Sequence, residues 1–151
     1  MTIAIEIETR IGRPPPIVFA ELIAVERFPA WLIASGIVRV ERLDEGPLGV
    51  GSRLRISQAV AGRSTTLDGA VTVLELDTAF GLQGRDAEDV TIELDARLAP
   101  EDGPATRLRW SLRMGLPLRY RMFESMVTPQ ARRAATLDLE ALRRRLESAA
   151  P

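Results

Sequence analysis

The residues that could perform chemistry in this chain are few in kind. Its 151 residues include no cysteine and no histidine, which excludes thiol chemistry, disulfides and the commonest general base and metal ligand. All twenty basic residues are arginine, so there is no lysine for a Schiff base or a phosphate loop. Any chemistry would have to come from carboxylates, arginine, hydroxyls, the single tyrosine or the backbone.

Composition and charge restrict the class of protein further. A net charge of −1 argues against nucleic-acid binding, and 46% apolar residues indicate a globular fold. The length predicts one domain over 1–151. The longest mainly apolar stretch, 17–37, contains Glu21, Arg27 and Pro29, so it predicts no transmembrane segment. The first ten residues do not resemble a signal peptide, and we expect a cytoplasmic protein.

The N-terminal part of the chain predicts one strand and two short helices. Thr2 to Arg10 alternates isoleucine with other residues, which is typical of a strand with one buried face. A proline run then precedes apolar residues at helical spacing over 17–23, and prolines are well tolerated at a helix N-terminus. A second short helix is predicted over 25–32.

The middle of the chain predicts six further strands with turns between them. Each has one apolar face, so the pattern indicates an antiparallel meander that is covered on one side only. The predicted strands are Ile37–Leu43, Val50–Val60, Ser64–Leu76, Ala79–Arg85, Val90–Leu98 and Thr106–Met114.

A long C-terminal helix is predicted to cover the apolar face of this sheet. Its apolar stripe has helical spacing, and it consists of Ala131, Ala135, Leu139, Leu142 and Leu146. Pro129 predicts a break, with Thr128 as the N-cap of the helix that follows. On this interpretation Leu118–Val127 forms a separate apolar turn or lid, and Pro129–Ser148 forms the closing helix.

The order of these elements resembles the helix-grip fold of the START-like superfamily, also called SRPBCC. Residues 15–31 are similar to that family's opening pattern, P-x-x-V-[FW] followed by V-E-R-[FW]-P-x-[WY]. Residues 46–53 are similar to its turn into the third strand. Thr106–Trp110 resembles its last strand, and Leu139–Glu147 resembles its closing helix.

The resemblance implies an α+β fold in which a strongly curved, antiparallel, seven-stranded sheet wraps around a long C-terminal helix. Two short helices lie between the first and second strands. It also implies a hydrophobic cavity between sheet and helix that binds a small molecule such as a lipid, a polyketide or an aromatic metabolite. The candidate cavity residues are Trp31, Leu54, Ile56, Gln58, Val71, Phe80, Leu82, Ile92, Leu94, Trp110, Tyr120, Phe123 and Met126.

Several of these residues have an alternative structural interpretation. Trp31 and Trp110 fit either a packed core or a pocket wall. Gln58 falls on the apolar face of its strand, where a buried amide needs a partner, but a register shift of one residue would turn it to solvent. Glu124 is either a buried acid or a solvated helix carboxylate. The arginines and aspartates on the opposite sheet face predict cross-strand salt bridges.

Three functional hypotheses follow from these observations. The first is a carrier or sensor of a hydrophobic ligand, without catalysis, cofactor or metal. The second is a polyketide cyclase or dehydratase in which Tyr120 or Glu124 donates the proton. The third is a protein-interaction module, which predicts an exposed apolar surface around Met122–Met126 and a stable complex, either a homodimer or an assembly with another protein.

Overall fold

The computed structural model of the chain describes residues 2–149; the ends of the predicted domain, residues 1, 150 and 151, lie outside them. The helices are α1 (Pro15–Ile23), a first 3₁₀ helix (Val25–Ala30), a second 3₁₀ helix (Leu118–Phe123) and α2 (Glu124–Ser148). The strands are β1 (Thr2–Ile11), β2 (Ile37–Arg42), β3 (Arg53–Val60), β4 (Arg63–Glu75), β5 (Ala79–Arg85), β6 (Thr91–Glu101) and β7 (Ala105–Gly115).

The strands form one antiparallel sheet in the order β1-β7-β6-β5-β4-β3-β2. The predicted seven-stranded sheet and the two short helices between β1 and β2 are therefore confirmed. The third strand begins later than predicted, at Arg53, because Gly51 has a φ of 92° and ends the preceding turn. Consecutive strands from β2 to β7 pair with each other, and β7, the last strand of the chain, also pairs with β1, the first.

Two irregularities and a glycine contact bend this sheet. The register shifts between Ile37 and Arg39 in β2 and between Val71 and Val73 in β4, and such bulges increase the local bend and twist of a strand. A Cβ atom on Gly69 would lie 2.4 Å from the carbonyl oxygen of Gln83. Only glycine therefore permits this close approach of β4 to β5. The bend curls the sheet around α2.

The C-terminal helix differs from its prediction at one point. α2 begins at Glu124 and continues through Pro129, so the predicted break at Pro129 is wrong. The missing N–H of Pro129 leaves the carbonyl of Ser125 without its helical donor, and Ser125 is exposed, so water can supply that bond. Thr128 is not an N-cap; its hydroxyl donates to the carbonyl oxygen of Glu124 at 3.1 Å.

The C-terminal half of α2 is fixed to the body of the domain by apolar and polar contacts. Leu139, Leu142 and Leu146 are buried in the main core, as the helical spacing predicted. The buried carboxylate of Glu21 lies 3.3 Å from the Nε atom of Arg145, which joins α1 to α2. The Glu147 carboxylate accepts a hydrogen bond of 2.7 Å from the backbone N–H of residue 12.

The outer face of the sheet carries the charged side chains. Arg55 lies 3.1 Å from Asp68 on the neighbouring strand, which confirms the predicted cross-strand pairing. Arg109 of β7 lies 3.1 Å from both Glu6 and Glu8 of β1. These groups are exposed, so each pair contributes only about 0–1 kcal/mol to stability.

Candidate functional site

A cavity of about 370 Å³ lies between the inner face of the sheet and the N-terminal half of α2. Most of the side chains that line it are aliphatic or aromatic. The lining residues are Phe28, Leu32, Ala34, Ser35, Ile37, Ile56, Gln58, Val60, Leu67, Leu82, Gly84, Ile92, Leu94, Trp110, Leu112, Met114, Val127, Gln130, Ala131, Ala134 and Ala135.

The cavity arises because the side chains that α2 presents to the sheet change in size along the helix. In the N-terminal half they are Val127, Ala131, Ala134 and Ala135, and all four line the cavity. In the C-terminal half the buried side chains are Asp138 and three leucines, and the leucines pack in the main core. The same helix therefore closes the core at one end and leaves a void at the other.

Burial varies across the cavity and defines a floor and a mouth. Phe28, Leu67 and Trp110 are at most 5% exposed and form the floor. Val60, which is 50% exposed, and the exposed Gln130 lie at the mouth. The opening therefore lies between the end of the β3–β4 hairpin and the flank of α2.

The polar groups of the cavity are few and uncharged. Among the described lining residues, only Ser35, Gln58 and Gln130 have polar side chains other than the indole of Trp110, and none of the lining residues is acidic or basic. The wall can therefore accept a neutral apolar molecule without leaving a buried charge unpaired.

A hydrogen-bonded network fixes the loop at the mouth of the cavity. The Gln58 Nε2 atom donates to the Ser35 carbonyl oxygen at 2.7 Å. The Asp138 carboxylate accepts from the backbone N–H of Ala34 at 2.7 Å, and from the N–H and hydroxyl of Ser35 at 3.1 and 2.5 Å. Asp138 thus holds the loop over residues 34–35 against α2.

Asp138 was not predicted from the sequence, although a signal was present. It shares the inner face of α2 with Ala131, Ala135 and Leu142, where an acidic residue is unusual. Its side chain is buried, and burial raises the pKa of this carboxyl above its ordinary value. The hydrogen bonds from Ser35 and Ala34 oppose that shift and lower the pKa.

The raised pKa of Asp138 predicts the sign of one pH dependence. Because the folded protein binds this proton more tightly than the unfolded chain, the stability from Asp138 is greatest below the unfolded pKa of about 4. It is lost as the pH rises through the folded pKa. We expect the free energy of unfolding of wild type, minus that of Asp138→Asn, to fall as the pH rises from about 4.

Urea denaturation of both proteins across this pH range measures the difference. Subtracting the free energy of unfolding of the variant from that of the wild type removes the contributions of the other carboxylates, which are the same in both proteins. A difference that rises with pH would show that the three hydrogen bonds outweigh burial and that the folded pKa is lowered.

Six of the predicted residues line the cavity: Ile56, Gln58, Leu82, Ile92, Leu94 and Trp110. Trp31, Leu54, Val71 and Phe80 do not, so their expected placement is corrected. All four are at most 1% exposed and belong to the filled part of the main core. Trp31 packs behind the cavity floor, with its ring centroid 5.6 Å from that of Phe28 and 5.7 Å from that of Trp110.

The predicted residues before and at the start of α2 also lie outside the cavity wall. The Tyr120 hydroxyl donates to the Glu88 carboxylate, and its ring packs on a second cluster around Ile3 and Ile5. Phe123 and Met126 are exposed, at 47% and 60%. Successive helical residues differ by about 100° in direction, so Val127 faces the cavity and Met126 turns away. Glu124 is likewise not part of the wall.

A second and larger depression, of about 690 Å³, lies on the outer face of the sheet. Its lining includes Arg53, Arg85 and Arg113 together with Asp68 and Glu93. Charges of both signs offset each other there, and the surface is open to water. The inner cavity is therefore the better candidate for a ligand site.

The fold matches solved structures at low sequence identity. An aromatase/cyclase, Zhui, from Streptomyces sp. R1128 superposes with a TM-score of 0.79 at 17% identity, over 97% of this chain and 94% of that one. A START superfamily protein from Mycobacterium smegmatis gives 0.78 at 17% identity, over 97% and 98%. The protein Ara h 8.0201 gives 0.73 at 15% identity, over 99% and 100%.

These likenesses establish the fold of the chain, which is the helix-grip fold of the START-like superfamily. No family model matches the sequence, and no curated protein matches it. Within residues 2–149, no helix has the length and apolar character needed to cross a membrane. The same residues contain no group of three or more acidic side chains placed to hold a metal ion.

Proposed function

We propose that this protein binds a hydrophobic small molecule in the cavity between the sheet and α2, as a carrier or a sensor. The observation that carries the proposal is the preformed cavity with its apolar wall of Leu, Ile, Ala and aromatic side chains. Ligand sites in proteins are typically concave, mostly apolar and largely preformed, with a few polar groups that orient the ligand. This cavity has each of those properties.

Two observations favour binding over catalysis. The candidate proton donors of a cyclase, Tyr120 and Glu124, do not line the cavity, and the described wall contains no acidic or basic side chain.

The volume of about 370 Å³ is near the lower end of the range of about 300–1,000 Å³ for small-molecule sites. It suits one compact molecule, such as an aromatic metabolite, better than a two-chain lipid.

Native mass spectrometry of the purified protein, before and after extraction with organic solvent, tests the proposal. We expect an adduct of a few hundred daltons that extraction removes, and we expect apolar aromatic compounds added back to raise the thermal midpoint. An unmodified mass in both samples, together with no thermal shift for any neutral aromatic compound, would contradict it.

The exposed apolar patch formed by Leu118, Met122, Phe123 and Met126 favours a second candidate function. Met122 and Leu118 are each 78% exposed, and contiguous exposed apolar surface often marks an interaction site. On this proposal two copies of the chain associate through the patch. Light scattering should then give a dimer for the wild type and a monomer for Met122→Asp, whereas a wild-type monomer would end this candidate.

A further inference from the structure

We propose that the ligand is a neutral molecule with one hydroxyl or carbonyl group, which hydrogen-bonds to Gln58 while its apolar body lies on the cavity floor. The inference rests on the proposed function, because it specifies the chemistry of the molecule that the same cavity binds. It follows from the position of Gln58, from its unused hydrogen-bonding capacity and from the absence of charge in the described wall.

The position of Gln58 places one polar side chain on the inner wall near the mouth. Gln58 pairs with Ile37 of β2 and Thr65 of β4, close to the end of β3 at Val60, where the turn into β4 begins. The floor, with Phe28 and Trp110, consists of apolar surface apart from the indole N–H. Polarity therefore increases from the floor to the mouth, and a ligand with one polar end has one favoured orientation.

The hydrogen bonds of Gln58 fix its amide and leave part of it free. Only the amide nitrogen can donate to the Ser35 carbonyl, so the 2.7 Å contact identifies Nε2 and uses one of its two hydrogens. The Oε1 atom has one long contact, 3.5 Å, with the Thr65 hydroxyl. One N–H and at least one lone pair remain. A ligand hydroxyl could use both, and a carbonyl could use the N–H.

The network behind Gln58 holds this amide in place before a ligand binds. Ser35, which accepts from Gln58, is itself bound through its N–H and hydroxyl to the buried Asp138. The side chain of Gln58 therefore loses little conformational freedom when it pairs with a ligand, which favours affinity. The one acidic group in the network, the Asp138 carboxylate, already accepts three hydrogen bonds, so it is not available to balance a positively charged ligand.

Three probes of similar shape separate the effects of the apolar body, the hydrogen-bonding group and a charge: 2-methylnaphthalene, 2-naphthol and 2-naphthoate. We expect 2-naphthol to bind about tenfold more tightly than 2-methylnaphthalene, because the hydroxyl gains a hydrogen bond in the cavity. We expect 2-naphthoate to bind at least tenfold more weakly than 2-naphthol, because its carboxylate would be desolvated without a cationic partner. Titration calorimetry measures all three affinities.

Substitution of Gln58 assigns the preference to that residue. In Gln58→Leu, 2-naphthol should lose about tenfold in affinity and 2-methylnaphthalene should lose none. Gln83→Leu makes the same change on the exposed outer face of the sheet and should change neither affinity. Gln58→Met keeps an unbranched side chain of similar length and replaces the leucine variant if that variant does not fold.

The outcomes distinguish this inference from the proposed function. Equal affinities for 2-naphthol and 2-methylnaphthalene, or an equal loss of both in Gln58→Leu, would overturn the role of Gln58 and leave hydrophobic binding intact. Tighter binding of 2-naphthoate would overturn the neutral ligand class. Failure of all three probes to bind would overturn the proposed function together with this inference.

Discussion

Replacing Ala134 by phenylalanine is expected to weaken 2-naphthol binding at least about tenfold while the protein stays folded. Ala134 lies on α2 and lines the cavity, so the added phenyl ring enters space that is empty in the native protein. Filling an existing void does not require the core to move, and the thermal midpoint should stay the same or rise. Titration calorimetry and thermal denaturation measure the two effects.

Thr136→Phe is the matched control for this substitution. Thr136 lies on the same helix with an exposed side chain, and its hydroxyl donates a hydrogen bond of 2.9 Å to the carbonyl oxygen of Arg132. It introduces the same ring without entering the cavity, and 2-naphthol should bind this variant as it binds the wild type. A folded Ala134→Phe variant with unchanged affinity would place the ligand somewhere other than this cavity.

Replacing Trp31 by alanine is expected to reduce the free energy of unfolding by about 3–5 kcal/mol. Trp31 is completely buried and packs edge-to-face against Phe28 and Trp110, so its removal leaves a large hole behind the cavity floor. Urea denaturation measures the loss. Val38→Ala, at a position 58% exposed on β2, is the control and should change stability by less than about 0.5 kcal/mol.

Trp31→Phe tests the physical cause of this effect. The Trp31 indole N–H is buried with no hydrogen-bond acceptor among the described residues, so phenylalanine removes an unsatisfied donor and keeps much of the ring packing. We expect it to destabilise the protein far less than alanine does. A loss below about 1 kcal/mol for the alanine variant would mean that Trp31 does not support the core as described.

The fold could be predicted from sequence because its signals are local and repeated. Strand alternation from Thr2 onwards, and the leucines at helical spacing in α2, depend only on which face of an element is buried. The break at Pro129 could not be predicted correctly from a local rule. Whether a proline ends a helix depends on access of water to the carbonyl that it leaves free, which is a tertiary property.

The cavity was predicted only in part for a related reason. Alternation assigns Val71 and Leu82 to the same inner face, but it does not indicate how far along the strand the core is filled. That boundary depends on the change from alanine to leucine along α2, on the far side of the space. Gln58 could be predicted as a cavity residue because it interrupts the apolar face of β3. Asp138 interrupts the apolar face of α2 in the same way.

The most direct test of the central claim is solution NMR of the methyl-labelled protein with bound 2-naphthol. If the ligand occupies the cavity, its aromatic protons will give intermolecular NOEs to the methyl groups of Ile56, Leu82, Leu94 and Leu112, which line the wall. NOEs confined to Leu118 and Met122 of the exposed apolar patch, or no saturable binding, would contradict the claim that this cavity is the ligand site.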